Sequence, residues 1–283
     1  QVAVGRNIID TIIEELKSAT DVVFSHFDGD HCPLERPNPY QLGAYRVAPA
    51  LADCRIWAKK PEGASPKQQM RRNDLARIMG RNLRDADGIA DGPLSFSSPV
   101  PHGRRERNGN TVIMTRVEED GETFLHASDI QLTDAGTVEK IANWHPNTVL
   151  LSGPALYRHS GPSLHALGES SRELALRLSE NVDRLIIDHH ILRSAEGIEW
   201  LGKLKRTACG EIYCAADFMK REPIFLEAWR RELYQWLPVP PGWHDTYARG
   251  DADLGNYLVD WENWRRFPWH LLGADGPPPG GAP

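Results

Sequence analysis

The segment Ser25-His26-Phe27-Asp28-Gly29-Asp30-His31 holds four side chains able to ligate a metal, and it directly follows the apolar run Val22-Val23-Phe24. Imidazoles and carboxylates together suit zinc, iron and manganese. Alternate positions 26 and 28 can face one way while the adjacent pair 30 and 31 faces another, so one loop can serve two cations. Gly29 lets the backbone bend sharply between them. Three later segments repeat a ligand-type residue at the end of an apolar run: Pro99-Val100-Pro101-His102-Gly103, Phe124-Leu125-His126-Ala127-Ser128-Asp129, and Leu185-Ile186-Ile187-Asp188-His189-His190. Singly these admit plain roles as a loop histidine, a turn cap and surface groups. Taken with the first cluster they form a set.

The elements that must hold this set are legible around it. Residues 7–19 put Ile8, Ile9, Ile12, Ile13 and Leu16 on one helical stripe. Asp21 to Ser25 reads as a buried strand, and similar short runs recur at 54–58, 111–117, 123–127, 148–152 and 185–188. Helical stretches lie between them, at 66–84, 137–143 and 170–181. Strands alternating with helices predict an α/β fold. After about residue 193 the apolar spacing turns helical almost throughout, including EIYCAADFMKR, and six of the nine tryptophans lie at or beyond Trp229. The final eleven residues, with four prolines and four glycines, predict a disordered tail.

Composition narrows the function classes. With 39 acidic and 33 basic residues the formal net charge is −6, which disfavours a generic polyanion binder. No apolar run is long enough to span a bilayer, and the first residues lack the form of a secretory signal, which predicts a soluble, cytoplasmic protein. Four irregularly spaced cysteines, none in a C-x-x-C pair, predict reduced thiols. The chain begins at Gln1, which suggests residues upstream.

The ordered set H-x-D-x-D-H, lone His, Asp, His resembles the metallo-β-lactamase superfamily, whose usual first motif is H-x-H-x-D-H. The likeness is greatest to a prokaryotic branch of predicted metallo-hydrolases, through Ser25-His26, Pro101-His102-Gly103, Ser128-Asp129, Ser152-Gly153-Pro154 and Asp188 to Arg193, and covers roughly residues 7–235. The resemblance implies an αββα sandwich. It also implies two divalent cations, zinc first, with iron or manganese as alternatives. His26, Asp28 and His102 would hold one cation, Asp30, His31 and His189 the other, and Asp129 would bridge them. His189 is preferred to His190, and Asp188 or His190 would then orient an imidazole. The implied chain organisation is a metallo-β-lactamase-like domain at 1–225, a helical Trp-rich region at 226–272 and the tail at 273–283.

Two departures bear on this expectation. Asp28 stands where the superfamily usually has His, which adds charge and a hard oxygen donor and shifts preference towards iron or manganese. Only about 25 residues precede the metal loop, so the strands expected there must come from residues absent from this sequence or from another chain, and a further polypeptide supplying the edge strands is the expectation. The leading function is hydrolysis of an ester or phosphoester by a two-metal centre with a bridging hydroxide. Asp30 is a catalytic candidate, and so is His159, for a leaving group or oxyanion, with Tyr157 and Arg158 nearby. The basic runs Lys67 to Arg72 and His102 to Arg107 suit phosphate, though a dedicated nucleic-acid substrate is not favoured. The alternatives are a diiron oxidoreductase, suggested by Asp28, and a non-catalytic subunit of a larger assembly, suggested by the tryptophans. An oligomer is expected.

Overall fold

The computed structural model describes residues 2–103, 110–236 and 238–254. Nine helices run in chain order among them: α1 (Val2–Leu16), α2 (Ala44–Val47), α3 (Pro66–Met79), α4 (Ala135–Ala142), α5 (Gly161–Ser179), α6 (Ala195–Thr207), α7 (Ala215–Phe218), α8 (Arg230–Trp236) and α9 (Trp243–Arg249). The strands are β1 (Asp21–Phe24), β2 (Arg55–Ala58), β3 (Arg84–Asp85), β4 (Ala90–Asp91), β5 (Leu94–Phe96), β6 (Val100–Pro101), β7 (Thr111–Val112), β8 (Thr115–Glu119), β9 (Glu122–His126), β10 (Thr148–Leu151), β11 (Arg184–Ile187) and β12 (Glu211–Tyr213).

Alternating side chains sort these elements into layers. In the parallel sheet β1-β2-β3, Val22, Phe24, Ile56 and Ala58 pack on Ile13 and Leu16 of α1, Ala44 and Val47 of α2, and Leu75 of α3. The residues between them, Val23 and Trp57, turn the other way, onto Leu94, Phe96, Ile113 and Val117 of the second sheet and its approach. That second sheet has the order β12-β11-β10-β9-β8-β5-β4. Its far side, through Leu125, Val149, Leu151, Leu185 and Ile187, buries Val138 and Ile141 of α4, Ala175 and Leu178 of α5, and Leu201 and Leu204 of α6. The molecule is an α/β protein in four layers, helices outside two facing sheets.

The structure amends the expected elements in three places. The run 111–117 is broken, because β7 pairs with β6 while β8 pairs with β5 and β9; between them Ile113 donates its N–H to the Ser25 carbonyl at 3.1 Å. EIYCAADFMKR is not one helix: Glu211–Tyr213 is the edge strand β12, parallel to β11. Two of the three strands in the first sheet, β2 and β3, come from chain after the metal loop, and the described chain before Asp21 adds one helix. Among the described residues no helix is long and apolar enough to cross a membrane. The Trp-rich stretch beyond residue 254, the tail at 273–283 and most of the basic run 102–107 lie outside the described residues.

Candidate metal centre

Strand geometry gathers the predicted ligands at one end of the two facing sheets and of the two-stranded sheet β6-β7. β1, β6, β9 and β11 each release the chain at a carboxyl end, and His26, His102, Asp129 and His189 follow within a few residues. This is where open α/β sheets present their ligand sites. Ser128 Oγ donates to Ser25 Oγ at 2.7 Å, which joins the ends of β9 and β1 directly. Ser25 Oγ in turn lies 3.1 Å from His26 Nδ1. With the serine oxygen accepting from both neighbours, His26 Nε2 carries a free lone pair; with the serine donating to Nδ1, it carries the hydrogen.

The metal loop is tightened by a turn in which His31 N donates to the Asp28 carbonyl at 3.0 Å. Gly29 serves this loop in a way the sequence did not suggest. Its φ is not positive, but a Cβ there would stand 2.8 Å from the Arg71 guanidinium, which donates to the Phe27 carbonyl at 2.9 Å. A side chain at this position would have to displace the tip of Arg71, and no left-handed turn is involved. Ser128 and His189 do take positive φ, 59° and 73° respectively. A bulky residue there is strained, and such strain is retained where surrounding contacts over-determine it. At His189 the Asp188 carboxylate supplies one of those contacts: its Oδ1 accepts from His189 N at 2.6 Å, while Oδ2 accepts from Ala215 N at 2.8 Å.

Asp129 is the hub. Its Oδ2 meets His102 Nε2 in a short contact and stands 3.7 Å from His31 Nε2. His190 Nε2 lies 3.0 Å from Oδ1 and 3.1 Å from Oδ2, and His189 Nε2 lies 3.9 Å from Oδ1. The His26 and His31 rings are 4.5 Å apart, and His31 meets His189 edge-on at 5.0 Å. Three groups have all their candidate ligand atoms within 4.8 Å of one another: His26, His31 and Asp129; Asp30, His31 and His189; His102, Asp129 and His190. Shared members make one continuous centre.

The electrostatics suit a cation. Burial, reinforced by neighbouring His31, pushes His26 down to about 4, and burial with the nearby Arg193 charge pushes His189 down to about 4. Burial also opposes charge on His102 and Asp129, but their mutual hydrogen bond and charge attraction together override it, raising His102 and holding Asp129, with help from His190, well below the carboxylate range. Asp30 is likewise lowered: burial works against its charge, but His31, a backbone hydrogen bond, His189 and Arg193 together outweigh it. His26 Nε2, His31 Nε2 and Asp129 Oδ1 are buried with no hydrogen-bond partner. Unpaired buried acceptors are costly. Three converging on one point fit a cation.

The structure brings together His26, Asp30, His31, His102, Asp129 and His189 of the predicted set, and adds His190. Asp28 is at the margin: its Oδ2 is 3.9 Å from His26 Nε2, while its Oδ1 accepts from Gln68 Nε2 on α3 at 2.8 Å. His159 is not brought in. No described hydrogen bond, ion pair or ring contact joins its side chain to the cluster, and the residue of that segment at the site is Tyr157, whose hydroxyl lies 3.2 Å from His190 Nδ1. Asp188, with both oxygens committed to backbone N–H groups, orients chain and no imidazole. Arg71 and Arg72 of the first basic run are spent internally, Arg72 on Asp85 at 2.7 Å. Gln68, Tyr157 and Arg193 are the residues whose part at the site the sequence did not assign. Only the motif context of Arg193 pointed near it.

No protein-family model matches the chain. A UPF0282 protein of Methanosarcina mazei is 42% identical over 262 residues, covering 92% of this chain and 84% of that relative. A UPF0282 protein of Pyrococcus furiosus is 28% identical over 243 residues, covering 79% and 74%. Among solved structures, a mutant of the CmlA β-hydroxylase aligns with TM-score 0.44 at 14% identity, covering 69% of this chain and 42% of that one. A metal-dependent hydrolase of the β-lactamase superfamily aligns with TM-score 0.42 at 12% identity, covering 69% and 76%.

Proposed function

The chain belongs to the UPF0282 family, and from the donors at its strand ends we propose that it is a metal-dependent hydrolase of the metallo-β-lactamase kind, acting on an ester or phosphoester. The observation that carries this is the convergence of His26 Nε2, His31 Nε2 and Asp129 Oδ1, all buried and all without a hydrogen bond. His26 would hold one divalent cation, joined by His102 once its Nε2 exchanges the hydrogen bond to Asp129 for the ion, and Asp30, His31 and His189 a second, with Asp129 shared and Asp28 contributing at the margin. Bound there, such ions lower the pKa of a water and polarise the substrate oxygen.

The chain's own groups supply the rest. Neutral imidazoles at His26 and His189 keep their lone pairs available well below neutral pH. Asp30, ionised and with a side chain 58% exposed, faces solvent beside His31 and is positioned to take up a proton. Arg193 Nη2, 3.6 Å from Asp30 Oδ2, keeps positive charge on that side. Residues 1–225 form the catalytic body in this reading, and the helical region after them is tied to it by Arg193 Nε with Glu227 Oε2 at 3.2 Å and by Tyr40 Oη with His244 Nδ1 at 3.3 Å.

The test is metal analysis of protein reconstituted separately with zinc, iron(II) and manganese, followed by assay on p-nitrophenyl esters, phosphomonoesters and phosphodiesters with and without a chelator. Stoichiometric metal and chelator-sensitive hydrolysis are expected. Protein that holds no metal after reconstitution would sink the reading.

A further inference from the structure

Tyr157 lies in a short helical turn, Leu156–Arg158, next to the metal centre. Its hydroxyl has three polar neighbours: Arg158 Nε at 3.0 Å, Arg193 Nη1 at 3.1 Å and His190 Nδ1 at 3.2 Å. A guanidinium carries donors only and does not lose its proton. Both arginines therefore donate, and together they fill the two lone pairs of the phenol oxygen. The phenol's one hydrogen is left with a single acceptor, His190 Nδ1. Were His190 to donate from that nitrogen, three donors would face one oxygen and the phenol hydrogen would have nowhere to go.

An imidazole that accepts at Nδ1 carries its hydrogen at Nε2. His190 Nε2 is hydrogen-bonded to Asp129 Oδ2 at 3.1 Å, so it points an N–H at that oxygen of the shared carboxylate. It has no lone pair to offer a cation. We propose that Tyr157 and His190 form a positioning relay for Asp129: the phenol fixes the His190 tautomer, His190 fixes the carboxylate, and the metal centre takes His189 in place of His190. The inference rests on reading the cluster as a metal centre.

Packing supports the relay. His190 is 4% exposed and stacks on the Tyr157 ring with centroids 5.9 Å apart, whereas the His189 side chain is one-third exposed. The Arg158 and Arg193 guanidiniums lie 5.4 and 5.6 Å from the Tyr157 ring centroid, holding the ring by cation–π attraction as well as by hydrogen bonds. The geometry also leaves Asp129 Oδ1 without a hydrogen bond, which is the state a bridging carboxylate needs. Outer partners of this kind hold a ligand in the orientation that the ion requires.

Zinc titration of the full chain tests this through four variants. His190→Gln keeps an N–H donor for Asp129 but removes the imidazole; it should keep the wild-type zinc stoichiometry. His189→Gln should lose one equivalent. Tyr157→Phe and His190→Leu should retain both equivalents with affinity lowered by about ten- to a hundredfold. Nitrogen-15 NMR of histidine-labelled wild type should show His190 as the Nε2–H tautomer, and Tyr157→Phe should release that preference. Loss of an equivalent in His190→Gln, or a zinc-bound Nε2 at His190, would overturn the relay. If wild type takes up no zinc, iron or manganese, the metal reading fails. The tautomer in metal-free protein still decides the relay, since its hydrogen bonds are made by this chain alone.

Discussion

The two ends of the strands carry equally polar clusters that are built on opposite rules. At the amino ends, Asp21 accepts from Arg55 Nη2 at 2.9 Å, Trp57 Nε1 at 2.7 Å and Thr20 Oγ1 at 3.0 Å, and Arg55 reaches on to Asp91 at 2.6 Å. In the second sheet Asn147 accepts from Thr123 N at 2.9 Å and donates to Asp183 at 2.9 Å, while Arg184 pairs with Glu122 at 2.7 Å. Each of those contacts is made within the chain. At the carboxyl ends, His26 Nε2, His31 Nε2 and Asp129 Oδ1 are buried and unpaired, beside residues with positive φ. Density of charge does not separate a structural cluster from a functional one. Unpaired ligand-type atoms gathered on neighbouring residues do, because a species from outside the chain can complete them.

The comparison breaks most directly at Asp129. Asp129→Asn removes the charge shared by two of the three ligand groups and placed to bridge both ions, so both metal equivalents should be lost on reconstitution while the fold persists. Mass spectrometric metal analysis beside circular dichroism reads both. Retention of two equivalents would show that Asp129 is no more than another paired carboxylate.

Acid should separate the ends next. In metal-free protein His26, with its native pKa about 4 against an ordinary value of 6.5, is neutral in the fold. The unfolded chain binds more protons between those values, so this contribution is fully present above pH 6.5 and is lost as pH falls towards 4, on the order of 3 kcal/mol in all. His189 adds a smaller share because it is more exposed. Asp21 behaves differently: burial works against its charge, but its hydrogen bonds and Arg55 hold it below its ordinary 3.8, so its contribution fades only in stronger acid. Urea melts across pH should show the first loss between 6.5 and 4, and saturating zinc should suppress it. A melt flat over that window would contradict the account of the imidazoles.

The converse substitution, Asp21→Ala, should lower stability by about 1 to 3 kcal/mol, because it strands the buried Trp57 Nε1 donor and one side of Arg55. Metal content should not change. Denaturant melts of the metal-loaded variant against wild type give the first quantity, and metal analysis gives the second.

How much of this could be read from sequence follows the range of the interactions. His26, His102, Asp129 and His189 were legible because each sits just after an apolar run, and a strand followed by a ligand is a local pattern. Gln68, which holds Asp28 from 40 residues away, was not, because its pairing depends on how α3 crosses the end of β1. Tyr157 and His190 are 33 residues apart and meet only once β10 and β11 lie side by side. The run 111–117 has uniform strand character and still serves two sheets, since pairing partners decide membership. β12 is three residues long, too short for its period to be distinguished from the helical spacing around it.

Asp28 is where the two rules meet, and its substitution should have the smallest effect. One oxygen is satisfied in the manner of the amino ends, by Gln68 Nε2 at 2.8 Å; the other faces His26 Nε2 at 3.9 Å, in the manner of the carboxyl ends. A carboxylate divided this way contributes charge to the centre more than a bond. Asp28→Asn keeps an oxygen to accept from Gln68 and removes the charge, so it should lower iron(II) and manganese affinity several-fold while sparing zinc, which relies more on the imidazoles. Asp28→His should move selectivity further towards zinc. Gln68→Leu sharpens the distinction: freeing the second oxygen should strengthen binding of the harder ions if Asp28 belongs to the centre. Competition titrations among the three metals measure all of these. If Gln68→Leu leaves the order of affinities untouched and Asp28→Asn changes only thermal stability, Asp28 belongs with the closed clusters, and its similarity in sequence position to a metal ligand carries no chemistry.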